Sequence, residues 1–125
     1  MSRPILLIED NAANLELMTY LLRAFRHETI SAASGQEGIR LAQQERPRAI
    51  LCDIQMPGMD GFAVVRALKA DPVTKPIPVV AVTALAMVGD RDRIVAAGFD
   101  GYVSKPIVPE TFVSEVERFL AAERR

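Results

Sequence analysis

The chain has 125 residues, about the length of one ordinary domain; half of them are apolar and a quarter charged, so a packed core is within reach and a disordered chain is excluded by composition. A net charge of −1 leaves no basic footprint for nucleic acid, and no apolar run approaches the roughly 20 residues of a membrane span. The opening "MSRPILLIEDN" lacks the apolar length and small-residue cleavage site of a secretory signal, and a single cysteine, Cys52, excludes an internal disulfide and fits a reducing cytoplasm.

No repeat, low-complexity stretch or linker interrupts the chain, so residues 1–125 read as one domain. A first apolar run, 5–8, reads as a buried strand. Asp10-Asn11 then offers an N-cap to a helix that carries Leu15, Met18, Leu22 and Phe25 at helical spacing. A more polar run over 28–32 has the character of an edge strand. Ser34-Gly35-Gln36-Glu37 is a capping-box pattern that opens a second helix through Glu45. Residues 49–52 form the next buried strand, and Asp60 caps a third helix with Phe62, Val65 and Leu68, which ends near Asp71-Pro72. A strand over 79–82 and a weaker helix over 86–97 follow, the helix stopped by Gly98. The last pair is a strand over 101–104 and a helix opened by Pro109, whose apolar stripe is Phe112, Val113, Val116, Phe119 and Leu120. Five strands alternating with five helices predict an α/β fold with a doubly wound parallel sheet and right-handed crossovers.

In such a sheet the ligand crevice lies at the carboxyl ends of the strands. The residues that leave the apolar runs there are Glu9-Asp10, Asp53, Thr83-Ala84 and Lys105-Pro106. Carboxylates about 5 Å apart at an effective dielectric near 20 repel by on the order of 3 kcal/mol, which raises a carboxyl pKa or attracts a cation. Lys105 supplies one positive charge, and a hard divalent ion such as Mg²⁺ suits the oxygen-only set. No histidine lies at these strand ends, and strand alternation turns Cys52 away, so zinc chemistry is not expected. A phosphoryl group fits the remainder: metal and Lys105 to neutralise its oxygens, Thr83 to donate a hydrogen bond, and a carboxylate as nucleophile.

The pieces "LLIEDN", "CDIQMPGMDG", "VAVTA" and "YVSKP", in that order and across essentially the whole chain, resemble the receiver domain of two-component response regulators. The resemblance implies a flavodoxin-like sheet of strand order 2-1-3-4-5. It makes Asp53 the phosphoacceptor, charged by a phosphohistidine on a histidine kinase or phosphotransfer protein. It assigns Mg²⁺ to Asp10, Asp53 and the main-chain carbonyl of Gln55, with Glu9 reaching the ion through water. Thr83, the backbone N–H of Ala84 and Lys105 would hold the phosphoryl oxygens, and Lys105-Pro106 would be a cis peptide. Tyr102 matches the switch aromatic, which in this family turns inward when Thr83 is drawn to the phosphoryl group. Gln55 and Leu85 lie where the family tunes loss of that group; Leu85 cannot orient a water, so a long-lived phosphorylated form is expected. The stretch "PIPVVAVTALAMVGDRDRIVAAGFDGYVSKPI" is most similar to single-domain regulators of bacterial cell division and development and to receivers of hybrid histidine kinases. The chain stops after its fifth helix, so output is expected through protein contact at the face of the fourth helix, fifth strand and fifth helix, with Met87, Tyr102, Ile107 and Val108.

Three other readings compete. A phosphohydrolase on a similar sheet would carry an acid/base Asp two residues after the nucleophile; Gln55 stands there and cannot do that work, so no enzyme is expected beyond self-phosphorylation and slow dephosphorylation. A phosphorylation-independent scaffold would need none of the acidic set. A receiver cut from a hybrid kinase would share every motif. Among single residues, Met56 and Met87 read as core fillers, Cys52 as a buried small hydrophobe, His27 as a solvated residue at a helix end, and Arg91-Asp92-Arg93 as a solvated helix face.

Overall fold

The computed structural model describes residues 3–84 and 88–123, without the side chains of 88 and 121–123. The elements are β1 (Ile5–Ile8), α1 (Ala12–Ala24), β2 (Thr29–Ala32), α2 (Gly35–Glu45), β3 (Ala49–Asp53), α3 (Gly61–Ala70), β4 (Val79–Thr83), α4 (Val88–Ala97), β5 (Gly101–Ser104) and α5 (Pro109–Glu123). All four strand pairings are parallel, in the order β2-β1-β3-β4-β5, so the expected doubly wound sheet is the observed one.

Side-chain alternation along the strands divides the core in two. Leu6, Ile8, Ile50, Cys52, Val79 and Ala81 point to one face and pack with Val64, Val65, Leu68 and Ile94 of α3 and α4 and with Ala42 of α2. Ile5, Leu7, Leu51, Val80, Val82 and Val103 point to the other and meet Met18, Leu21 and Leu22 of α1 and Phe112, Val113 and Val116 of α5. Both faces are covered, which is why the central strands are continuously apolar in sequence.

The caps that start the helices are local. Asn11 Oδ1 accepts from the N–H of Asn14, Ser34 Oγ from Glu37 and Asp60 Oδ1 from Ala63. Glu37 reaches back as a capping box requires, but to the N–H of Ala33 rather than of Ser34. Gly98, at φ +114°, ends α4 in a backbone region that side-chain-bearing residues rarely adopt.

Two strands run one residue further than their apolar runs: β3 includes Asp53 and β4 includes Thr83, because pairing of Asp53 with Val82 and of Thr83 with Ser104 continues the ladder past the last apolar side chain. Two surface expectations are corrected. His27 is not solvated: its side chain is 11 % exposed and Nε2 lies 2.7 Å from Oε2 of Glu117 on α5. Ile107 is buried in the α1–α5 core and offers no partner surface, whereas Val108 beside it is exposed. Arg91 and Arg93 are exposed, as a solvated helix face requires, and also stack over the rings of Tyr102 and Phe62. Leu85 and Met87 lie outside the described residues.

Candidate functional site

The site is assembled at the carboxyl edge of β1, β3, β4 and β5. Parallel register sets Ile8 beside Cys52, so the residues after each, Glu9 and Asp53, leave neighbouring strands at the same height. Thr83 follows on β4, and the N–H of Lys105 donates to its carbonyl at 2.8 Å, which ties the end of β5 to the same edge. The Lys105-Pro106 peptide is cis, as the resemblance implied.

Glu9, Asp53 and Thr83 are buried, while Asp10 and Ala84 are exposed and open the cluster to solvent. One carboxylate oxygen each from Glu9, Asp10 and Asp53 lies within 4.8 Å of the others. Lys105 Nζ stands 3.3 Å from Asp53 Oδ2 and 3.4 Å from Glu9 Oε1. The N–H of Gln55 donates to Asp53 Oδ1 at 3.1 Å, and that of Asn11 to Glu9 Oε2 at 3.2 Å. Glu9 Oε1 is fully buried and has no hydrogen bond; Lys105 is at ion-pair distance without hydrogen-bond geometry.

These conditions push Glu9 from 4.5 up to about 7. Burial is the largest cause, followed by the hydrogen bond that only the protonated carboxyl makes to Asp53 and by the Asp53 charge; the N–H of Asn11 and the charge of Lys105 oppose them. The Glu9 carboxyl therefore keeps its proton well above the usual carboxylate range. A buried acceptor without a donor, in an all-oxygen set with one carboxylate open to solvent, fits a hard divalent cation, which would take the proton's place.

One residue important to this geometry was missed by sequence reasoning. Gly61 opens α3 directly against the end of β3, and its N–H donates to the carbonyl of Ile54 at 2.9 Å. A Cβ there would lie 2.6 Å from the carbonyl oxygen of Asp53 and 2.6 Å from Cα of Ile54. Only a residue without a side chain lets the helix approach the backbone that carries Asp53. The signal was present as "DG" at 60–61, but it read only as a helix start.

Residues 5–117 match the family model of the response regulator receiver domain. The polar-differentiation response regulator DivK of Brucella ovis is 41 % identical over 120 residues, which span 96 % of this chain and 98 % of that protein. The chemotaxis protein CheY4 of Vibrio cholerae superposes with a TM-score of 0.89 at 27 % identity, over 95 % of this chain and 99 % of that one. The receiver domain of a sensor histidine kinase from Pseudomonas aeruginosa PAO1, whose structure has a magnesium ion coordinated in the active site cleft, superposes with a TM-score of 0.87 at 30 % identity, over 97 % and 99 %.

Proposed function

Because the chain belongs to the response regulator receiver family, we propose that it is a phosphorylation-dependent signalling switch with Asp53 as its phosphoacceptor. The observation that carries this reading is the placement of Asp53 at the open end of β3, between the Glu9–Asp10 pair and Lys105. A carboxylate oxygen of Asp53 forms a bond to phosphorus as the phosphorus–nitrogen bond of a phosphohistidine breaks, and the electron pair of that bond returns to the imidazole. The donor is a histidine kinase or a phosphotransfer protein. Lys105, the Thr83 hydroxyl and the N–H of Ala84 receive the phosphoryl oxygens. Asp10, Asp53 and the carbonyl of Gln55 would hold Mg²⁺, with Glu9 supporting it through water; when bound, the ion would supply positive charge against the phosphoryl oxygens.

Output passes by protein contact through the α4–β5–α5 face, where Tyr102 is half-buried and Val108 exposed. Residues 1–125 act as one cytoplasmic receiver domain without nucleic-acid or membrane partners. The net charge of −1 supports the lack of a nucleic-acid partner, and no helix among the described residues is long and apolar enough to cross a membrane. A stand-alone regulator is favoured because the match covers 98 % of the Brucella protein. The likeness to a kinase-borne receiver supports a second reading, a module of a hybrid histidine kinase. The chain is not a phosphohydrolase, since Gln55 has no acid/base capacity.

Intact-mass measurement after incubation with acetyl phosphate tests the reading. One phosphoryl group is expected on the parent with Mg²⁺, none without it, and none on Asp53→Asn. Equal labelling of Asp53→Asn, or sustained hydrolysis of small phosphate esters, would refute it.

A further inference from the structure

Among its described side chains, α4 buries only Ile94 completely, while α3 buries Val64, Val65 and Leu68. Two arginines add contacts on its flanks. The Arg91 guanidinium lies 5.8 Å from the ring centroid of Tyr102 on β5, and that of Arg93 lies 5.0 Å from the ring of Phe62 on α3. Residues two apart on a helix point about 200° apart, so the pair reaches in opposite directions. Arg93 is further tied to Asp90 at 3.7 Å, and Phe62 meets Phe99 edge-on at 6.2 Å.

Register places Tyr102 opposite Ala81 and Thr83 opposite Ser104. Tyr102 and Thr83 therefore share one face of the sheet as diagonal neighbours. The residue on β4 directly beside Tyr102 contributes only the methyl group of Ala81, which leaves the path along the sheet toward Thr83 clear of any bulkier side chain of that strand. In the observed arrangement the Arg91 guanidinium lies over the ring.

We propose that Arg91 is a positioning residue: its stacking on Tyr102 holds the ring in the observed place and sets how readily it turns toward Thr83. The inference rests on the function proposed above, in which Thr83 receives a phosphoryl oxygen. An exposed cation–π contact biases an equilibrium about two- to fivefold. Arg91 thus weights the unphosphorylated arrangement by that factor, and its loss makes the switch respond more readily.

The chain has two tyrosines, so incorporation of 3-fluorotyrosine into the full chain yields two ¹⁹F resonances. Tyr20, exposed on α1, serves as the internal reference. Arg91→Gln is expected to move the Tyr102 resonance before any phosphodonor is added, in the direction that acetyl phosphate with Mg²⁺ moves it in the parent. It should leave Tyr20 in place and raise the rate of phosphoryl uptake about two- to fivefold. Arg91→Lys, which keeps the cation, should stay near the parent, and Arg93→Gln, which releases Phe62 instead, should leave Tyr102 unmoved. The proposal is overturned by an unmoved Tyr102 in Arg91→Gln. It is equally overturned by an Arg93→Gln shift of the same size, which would assign the effect to general loosening of α4. A parent that takes up no phosphoryl group, with Tyr102 still moved by Arg91→Gln alone, would refute the proposed function and leave the Arg91–Tyr102 contact as the determinant of ring position.

Discussion

In the metal-free chain, Glu9→Gln should remove a pH dependence of stability that the parent shows. The folded chain holds the Glu9 proton up to about 7, against 4.5 for the ordinary side chain. Between those values the folded state binds more protons than the unfolded state, so stability is fully present below 4.5 and declines as pH rises through 7. The difference, at 1.36 kcal/mol per pH unit, is on the order of 3 kcal/mol, a substantial part of the 5–15 kcal/mol typical of a domain. Gln keeps the shape and has no proton to lose. Urea unfolding of both chains in chelator, at closely spaced pH values from 4 to 8, gives the difference directly, because other titrating groups are common to both. The parent should lose about 2–3 kcal/mol relative to Glu9→Gln across this range. Parallel curves, or a parent that gains stability with rising pH relative to the variant, would refute the picture of a proton held by a buried, crowded carboxyl.

Mg²⁺ competes with that proton, so its affinity should rise with pH through about 7, measured by calorimetry in buffers of different ionisation heat, with proton release on binding. Gly61→Ala forces the end of β3 to shift, since its Cβ would meet backbone atoms at 2.6 Å; a loss of about 1–3 kcal/mol in urea, together with slower phosphoryl uptake, is expected. Lys69 donates to the carbonyls of Lys75 and Ile77 and to Asp100 at 2.9–3.1 Å. Lys69→Met should cost about 1–3 kcal/mol by urea midpoint and leave the labelled residue unchanged, because the clasp lies at the opposite end of the sheet from Asp53.

The fold was legible because its signals are local. Continuous apolar runs marked β1, β3 and β4, and Asn11, Ser34 and Asp60 marked helix starts within a few residues of their bonding partners. The acidic cluster was legible for a related reason: parallel strands bring their exits to one edge, so Glu9, Asp10, Asp53 and Lys105 could be gathered by counting strand ends. What stayed hidden depends on partners far apart in the chain. His27 and Glu117 are 90 positions apart and Lys69 and Asp100 are 31 apart, and neither residue of either pair carries a local sign of the other. Arg91 and Arg93 read as a solvated face because helical periodicity reports exposure, which was right, and not the aromatic rings of neighbouring elements. Ile107 was counted with the surface of α4, β5 and α5, yet its side chain packs into the core between α1 and α5, a contact with residues far away in the chain.

The most direct test of the central claim is to treat the full chain with acetyl phosphate and Mg²⁺, reduce the product with borohydride, and map it by tandem mass spectrometry. An acyl phosphate at Asp53 is reduced to homoserine, so conversion at position 53 alone is the predicted result. Conversion at Glu9 or Asp10 in place of Asp53, or phosphoryl uptake with no reducible carboxyl, would contradict it.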